Sequence, residues 1–221
     1  MASLVAFLLL AVVFPTARSY YSVGHHKGTL SRTTSSTRIH GGGPIRGDTL
    51  PALIRLAEAS QQGLDTSNNA AIIEMMTTLG VQNERFSKKF LDTVTGKWEL
   101  LWTTEKETLF FIKNGLFGKR VTNVYQTVDL ASPGGGGGSI NNLIEFDGQR
   151  TFSVVGTATR DPQVATRVNF AFTKAVITVP PLPRLTLPPV GSGWFDNIYV
   201  NERYRLARDV RGDYLITRRV A

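Results

Sequence analysis

Gly96-Lys97-Trp98-Glu99-Leu100-Leu101-Trp102-Thr103-Thr104 is the stretch at which the chain changes its period. Trp98, Leu100 and Trp102 alternate with Glu99 and Thr103, as in a strand with one face in a core and the other toward water. Upstream, from Thr49 to Gly80, apolar residues recur at helical spacing instead. Leu50, Leu53, Ile54 and Ala57 form one stripe, ended by Gln61, Gln62 and Gly63. Asp65, Thr66 and Ser67 offer N-caps to a second helix carrying Ile72, Ile73, Met76 and Leu79, with Gly80 as its natural stop. Phe86, Phe90 and Leu91 form a short third helical stretch.

Downstream the chain reads as β-structure. Leu109–Ile112, Val121–Val128, Ile140–Phe146, Thr151–Thr159, Val164–Phe172, Ala175–Val179, Arg203–Ala207 and Tyr214–Arg219 join the first strand, about nine in all. Asp147-Gly148 supplies a hairpin turn and Asp161-Pro162 another. The expected fold is mainly β with N-terminal helices: an antiparallel β-barrel of about eight to nine strands preceded by two or three short helices. Closing the sheet removes its exposed edges.

An up-and-down barrel of about eight strands encloses a space filled by side chains or by one small ligand. Trp98, Trp102, Phe152, Phe170 and Phe172 lie at alternating positions that can face inward. They suit a lipophilic ligand: a ten-carbon tail leaving water gains roughly 8 kcal/mol before ordering costs. The same side chains also suit a dry core, and the sequence leaves both readings open.

Three loops carry their own expectations. Gly134–Gly138 is a run of five glycines, but no Lys-Ser/Thr follows and no helix opens there, so it reads as a hairpin loop and not a phosphate cradle. Pro180–Pro189 (PPLPRLTLPP) reads as a stiff connector across a barrel end, since Pro cannot sit in a central strand. Lys113, Lys119 and Arg120 cluster beside Leu116 and Phe117, a pattern that fits contact with a membrane surface or an ordinary solvated hairpin.

Composition removes several classes of function. The chain has 221 residues, 42% hydrophobic and 19% charged, with a net charge of +8. Five of the basic residues (Arg18, Lys27, Arg32, Arg38, Arg46) precede the first acid, Asp48, which leaves 20 Lys and Arg against 17 Asp and Glu beyond residue 47. The basicity is therefore mostly in the tail, and nucleic-acid binding ranks last. There is no Cys, and the three His residues (His25, His26, His40) are all in the tail. A domain beginning near Asp48 has no Cys/His metal site, Ser-His-Asp triad or thiol nucleophile. It calls for no cofactor.

The tail reads as an address. Leu4–Phe14 is an apolar run of eleven residues, short of the about 20 that a membrane-spanning helix needs. Pro15, Ala17 and Ser19 follow, so residues 1–19 read as a signal peptide. Residues 20–47 are rich in Ser and Thr, basic and free of acid, like a transit peptide, and are expected to be disordered. Together they resemble the bipartite presequence of proteins imported into plastids bounded by extra membranes, with Tyr20 where an aromatic residue opens the transit part. The remainder, 48–221, is the expected folded domain. It lacks cysteines and N-x-Ser/Thr sequons, which fits a plastid better than secretion.

The segment from Leu91 through Gly96-Lys97-Trp98-Glu99-Leu100-Leu101-Trp102-Thr103-Thr104 closely resembles the signature of the plastid lipid-associated proteins, or fibrillins. Gln62-Gly63-Leu64 resembles that family too, as do Gly193-Trp194-Phe195-Asp196-x2-Tyr199 and Tyr204-Arg205-Leu206-x-Arg208. The resemblance implies a lipocalin-like barrel at thylakoids or plastoglobules that binds or coats carotenoids, quinones or membrane lipids. It brings no family-wide catalytic residue. Gly96-Lys97-Trp98 also resembles the lipocalin G-x-W element, whose Trp lies under an Arg from a late strand; Arg205 and Arg208 are the candidates.

The leading expectation is a non-enzymatic plastid lipid-binding protein. An alternative is an isomerase acting on a lipophilic substrate inside the barrel, using Glu99, Asp196, Tyr199 or a Lys. Asp196, beside Trp194, Phe195 and Tyr199, is the best perturbed carboxylate, against the simpler reading that it caps a turn. A third is an accessory partner of a prenyl transferase, docked through the helices or the Pro-rich stretch.

Overall fold

A computed structural model of the chain describes residues 49–83, 90–130, 137–188 and 191–220. The stretches read as signal and transit peptides, residue 86 and most of the glycine run lie outside the described residues.

Helix α1 (Thr49–Ala59) buries Leu53, Ile54 and Ala57, the stripe expected from the sequence. Helix α2 (Asn69–Asn83) buries Ile72, Met76 and Leu79 but does not stop at Gly80. A Cβ at that position would lie 2.8 Å from Cγ2 of Ile198, so the glycine serves close packing on the sheet and not helix termination. Helix α3 (Phe90–Val94) is short and leads into strand β1 (Gly96–Thr103).

The expected strand at Leu109–Ile112 is instead part of helix α4 (Lys106–Asn114). Four consecutive apolar residues carry no period, and here the first turn, from Glu105 to Leu109, decides for helix: the Leu109 amide donates to the Glu105 carbonyl at 3.0 Å. Strands β2 (Val121–Asp129), β3 (Gly138–Phe146) and β4 (Arg150–Arg160) follow as a meander. The two runs Val164–Phe172 and Ala175–Val179 merge into one long strand, β5 (Arg167–Thr178). The Pro-rich connector contains a short strand, β6 (Leu185–Leu187), and β7 (Gly191–Val200) was not expected as a strand. Strands β8 (Tyr204–Asp209) and β9 (Tyr214–Arg219) complete the sheet.

All pairings between the nine strands are antiparallel. The ring runs β1-β2-β3-β4-β5-β7-β8-β9, and β9 pairs back onto β1, which closes an eight-stranded barrel. Strand β5 pairs on one edge with β4. On its other edge it pairs first with β7, through Arg167–Phe172, and then with β6, through Ala175–Ile177. The ninth strand is thus an addition outside the ring.

Two cores result. Val94, Trp98, Val128, Ile140, Ala158, Val168, Phe195 and Ala207 fill the barrel interior. Leu53, Ile54, Ala57, Ile72, Met76 and Leu79 of the helices pack on the barrel's outer wall against Leu101, Trp102, Leu206 and Ile216. Strand β1 serves both cores by means of a bulge. Leu100 pairs with Thr217 but Trp102 with Ile216, so Leu101 is an extra residue and the alternation flips there.

Candidate functional site

At the end where β1 begins, the barrel is closed by Trp98, which is 0% exposed and donates its indole N–H to the Val94 carbonyl at 2.8 Å. The guanidinium over it belongs to Arg219, 4.2 Å from the ring centre, with Arg205 farther off at 5.7 Å. Arg219 also donates to the carbonyls of Thr95, at 2.9 Å, and Thr93. Gly96 leaves it room, since a Cβ there would lie 2.1 Å from an Arg219 Nη1 and the backbone has φ of +151°. Of the two arginines expected in this role, Arg205 lies deeper in the barrel and Arg208 is on the outer face, 5.6 Å from the Tyr214 ring. Arg219 was legible: it closes the last strand on the face of Leu215 and Thr217.

A polar stripe crosses the interior above Trp98. Arg205 on β8 is 0% exposed, sits 5.2 Å from the Phe195 ring, and donates through Nη2 to Oε1 of Gln126 on β2. Nη1 makes a long contact, 3.4 Å, with Oδ1 of Asn197. Gln126 donates onward to Oδ1 of Asn142 on β3 at 2.8 Å. Nε of Arg205 has no acceptor. Burial pushes this guanidinium down to about 9, leaving it charged at neutral pH. Gln126 and Asn142 face inward and yet remain half-buried, as do Phe170 and Phe172. The last two pair ring to ring at 4.9 Å, and Phe170 stacks on Phe195 at 6.2 Å.

The five aromatic residues expected to line the barrel are therefore divided. Trp98, Phe170 and Phe172 share the interior cluster. Phe152 lies toward the opposite end, 5.2 Å from Phe111, which helix α4 brings into the barrel mouth beside Phe146. Trp102 is outside, under the helices, with its indole N–H 3.3 Å from Oδ1 of Asn69.

The opposite end carries the connections after β1, β3, β5 and β8. Thr103 and Thr104 lock it: Thr103 Oγ1 donates to the Tyr214 carbonyl at 2.9 Å and Thr104 Oγ1 to Oδ1 of Asp213 at 3.0 Å. Arg211 ties α4 to the β8–β9 turn through Glu107 at 2.8 Å and Asp209 at 3.1 Å. Burial raises the Glu105 carboxyl at the start of α4, offset in part by a hydrogen bond from Thr108 and by Arg211. Lys113, Lys119 and Arg120 are all exposed here. So are Phe117 at 52%, Leu182 at 65%, Leu185 at 52% and Val210 at 49%. Leu64, 37% exposed, joins them, because the adjoining Gln62 carbonyl accepts from the Thr103 amide at the end of β1. These five are the large exposed apolar side chains among the described residues, and all belong to one barrel end.

The carboxylates considered for catalysis are engaged in ion pairs on the outer wall. Asp196 does not cap a turn: it lies within β7, held by Arg167 through Nε at 2.8 Å and Nη2 at 2.9 Å. That guanidinium also stacks on Trp194 at 3.7 Å. Glu99 accepts from Arg218 at 2.8 Å, and the Tyr199 hydroxyl accepts from Asn201 at 2.9 Å.

No solved structure matches the chain. A relative in Arabidopsis thaliana, "Probable plastid-lipid-associated protein 11, chloroplastic", is 38% identical over 177 residues, covering 76% of this chain and 77% of the relative. The PAP_fibrillin family model matches residues 50–218, which takes in the two helices on the barrel's outer wall and the nine strands to within one residue at either end. The chain belongs to the PAP/fibrillin family and is a lipid-associated protein of the plastid.

Proposed function

We propose that the protein is a non-enzymatic lipid-binding protein that sits on a thylakoid or plastoglobule surface and holds a lipophilic molecule, such as a carotenoid, a quinone or a membrane lipid, inside its barrel. The observation that carries this reading is the gathering of Leu64, Phe117, Leu182, Leu185 and Val210 at one barrel end. Exposed large apolar side chains scattered singly need no explanation, but a group confined to one end does. Exposed Lys113, Lys119, Arg120 and Arg184 stand among them. Each such cation contributes about 1 kcal/mol beside an anionic lipid surface, and the apolar side chains bury into the headgroup layer. The half-buried, inward-facing Phe170 and Phe172 support the internal ligand.

The test is flotation with vesicles of neutral galactolipid, with and without an anionic lipid. The protein is expected to float, more completely with the anionic lipid and less at high salt. The double substitution Leu182→Ser with Leu185→Ser touches two exposed positions and should lower the bound fraction several-fold without lowering the melting temperature. Binding by the variant equal to wild type would refute the docking end.

A further inference from the structure

Arg205 puts a charge into the polar stripe of the barrel interior. It is fully buried, its two contacts below 3.5 Å go to the neutral amides of Gln126 and Asn197, and its Nε–H has no acceptor. No carboxylate among the described residues forms an ion pair with it; Glu105 acts on it only through its field. A buried cation without an anionic partner forfeits hydration that neutral amides replace poorly. Three features give it an outlet. Gln126 and Asn142 continue its hydrogen-bond chain across the barrel from β8 to β3. Both face inward and yet stay only half-buried, so side chains leave space beside them. Phe170, Phe172 and Phe195 form an apolar wall within the same cluster.

We propose that the barrel takes a carboxylate-headed lipid, with the carboxylate at Arg205 accepting from Nε and the acyl chain along Phe170, Phe172 and Val168. This deepens the internal-ligand reading above and rests on it. A carboxylate supplies both what the guanidinium lacks: the opposite charge and a strong acceptor in a planar geometry that matches its own. A quinone or a carotenoid end group supplies at most a neutral acceptor.

The test is fluorescence titration of the protein with cis-parinaric acid and with its methyl ester, which share the chain and differ in the head. The acid is expected to bind at least tenfold more tightly than the ester at pH 7.5. Arg205→Met should remove that preference, bringing the affinity for the acid down to that for the ester. Gln126→Glu places a carboxylate beside Arg205 from within and should also abolish the preference while keeping a folded protein, so the inference remains testable if Arg205→Met fails to fold. Equal affinity for acid and ester in the wild type, or a preference that survives Gln126→Glu, would overturn the head-group assignment and leave the internal lipid site standing. Failure of both probes to bind would overturn the assignment and the internal ligand together, leaving only the surface role.

Discussion

The guanidinium of Arg219 and the indole of Trp98 lie 4.2 Å apart, and the contact exists because residue 96 has no side chain. Gly96 and Trp98 at the start of β1 and Arg219 at the end of β9 therefore act as one closure at the base of the barrel. A cation over an indole face contributes about 0.5–2 kcal/mol depending on desolvation. Trp98 adds a large buried area, and its N–H bond to Val94 anchors α3 to the same point.

Gly96→Ala is expected to be strongly destabilising. The new Cβ would meet Arg219 Nη1 at 2.1 Å, in a backbone conformation that L-residues rarely adopt. Displacing the guanidinium also breaks its bonds to the Thr93 and Thr95 carbonyls. A loss of at least about 2 kcal/mol should appear in urea unfolding. Stability within 0.5 kcal/mol of wild type, roughly the range of an ordinary surface change, would contradict this account of the motif.

Gly80→Ala separates helix propensity from packing. In an exposed helix the change would stabilise by about 1 kcal/mol. Here the added methyl would lie 2.8 Å from Cγ2 of Ile198, a β-branched side chain with little freedom to move aside. The expected outcome is a net loss of about 1–2 kcal/mol in thermal or urea unfolding. A gain would show that α2 can slide on β7.

Glu105→Gln tests the buried carboxyl at the barrel mouth. Burial raises its folded-state value above the ordinary 4.5, with Thr108 and Arg211 pulling it down and Asp209 and Asp213 pushing it up. In the pH window between 4.5 and that raised value the folded protein holds the proton more firmly than the unfolded chain. Stability therefore falls as pH rises through the window. Glutamine keeps an acceptor for Thr108 and removes the charge. The variant should match wild type near pH 4 and be more stable at pH 8 by about 1–3 kcal/mol. A variant less stable at pH 8 would mean that the attraction of Glu105 to Arg211 and Arg205 outweighs the cost of its burial.

Much of this architecture is legible in the residues themselves. The Leu53, Ile54 and Ala57 stripe, the Asp147-Gly148 turn and the alternation from Ile140 to Phe146 each correspond to an element in place. What escapes notice does so at irregularities. A bulge at Leu101 puts Trp102 on the wall opposite Trp98, although the two tryptophans are four residues apart, and nothing in the local sequence marks an inserted residue. A second irregularity between Asn197 and Tyr199 scrambles the alternation of β7, which hides the strand. The polar stripe was half visible: Asn142 shares the face of Ile140 and Ile144, but Arg205, which reaches it through Gln126, is more than sixty positions away and only barrel closure brings them into one chain of hydrogen bonds.

Trp102→Ala follows from that division of the aromatic residues. Trp102 is 0% exposed beneath α1 and α2, and its truncation should cost about 3–5 kcal/mol. The helices, not the barrel, should be loosened first. Hydrogen exchange is therefore expected to rise at Leu53, Ile54 and Met76 while Val128, Ile140 and Val168 of the interior stay protected. If the variant folds, it should bind a lipid probe as the wild type does, whereas Phe170→Ala, which opens the interior wall, should weaken binding with a smaller loss of stability because Phe170 is only half-buried. Lost lipid binding in Trp102→Ala with undisturbed helices would return Trp102 to the ligand site and place the lipid between helices and barrel.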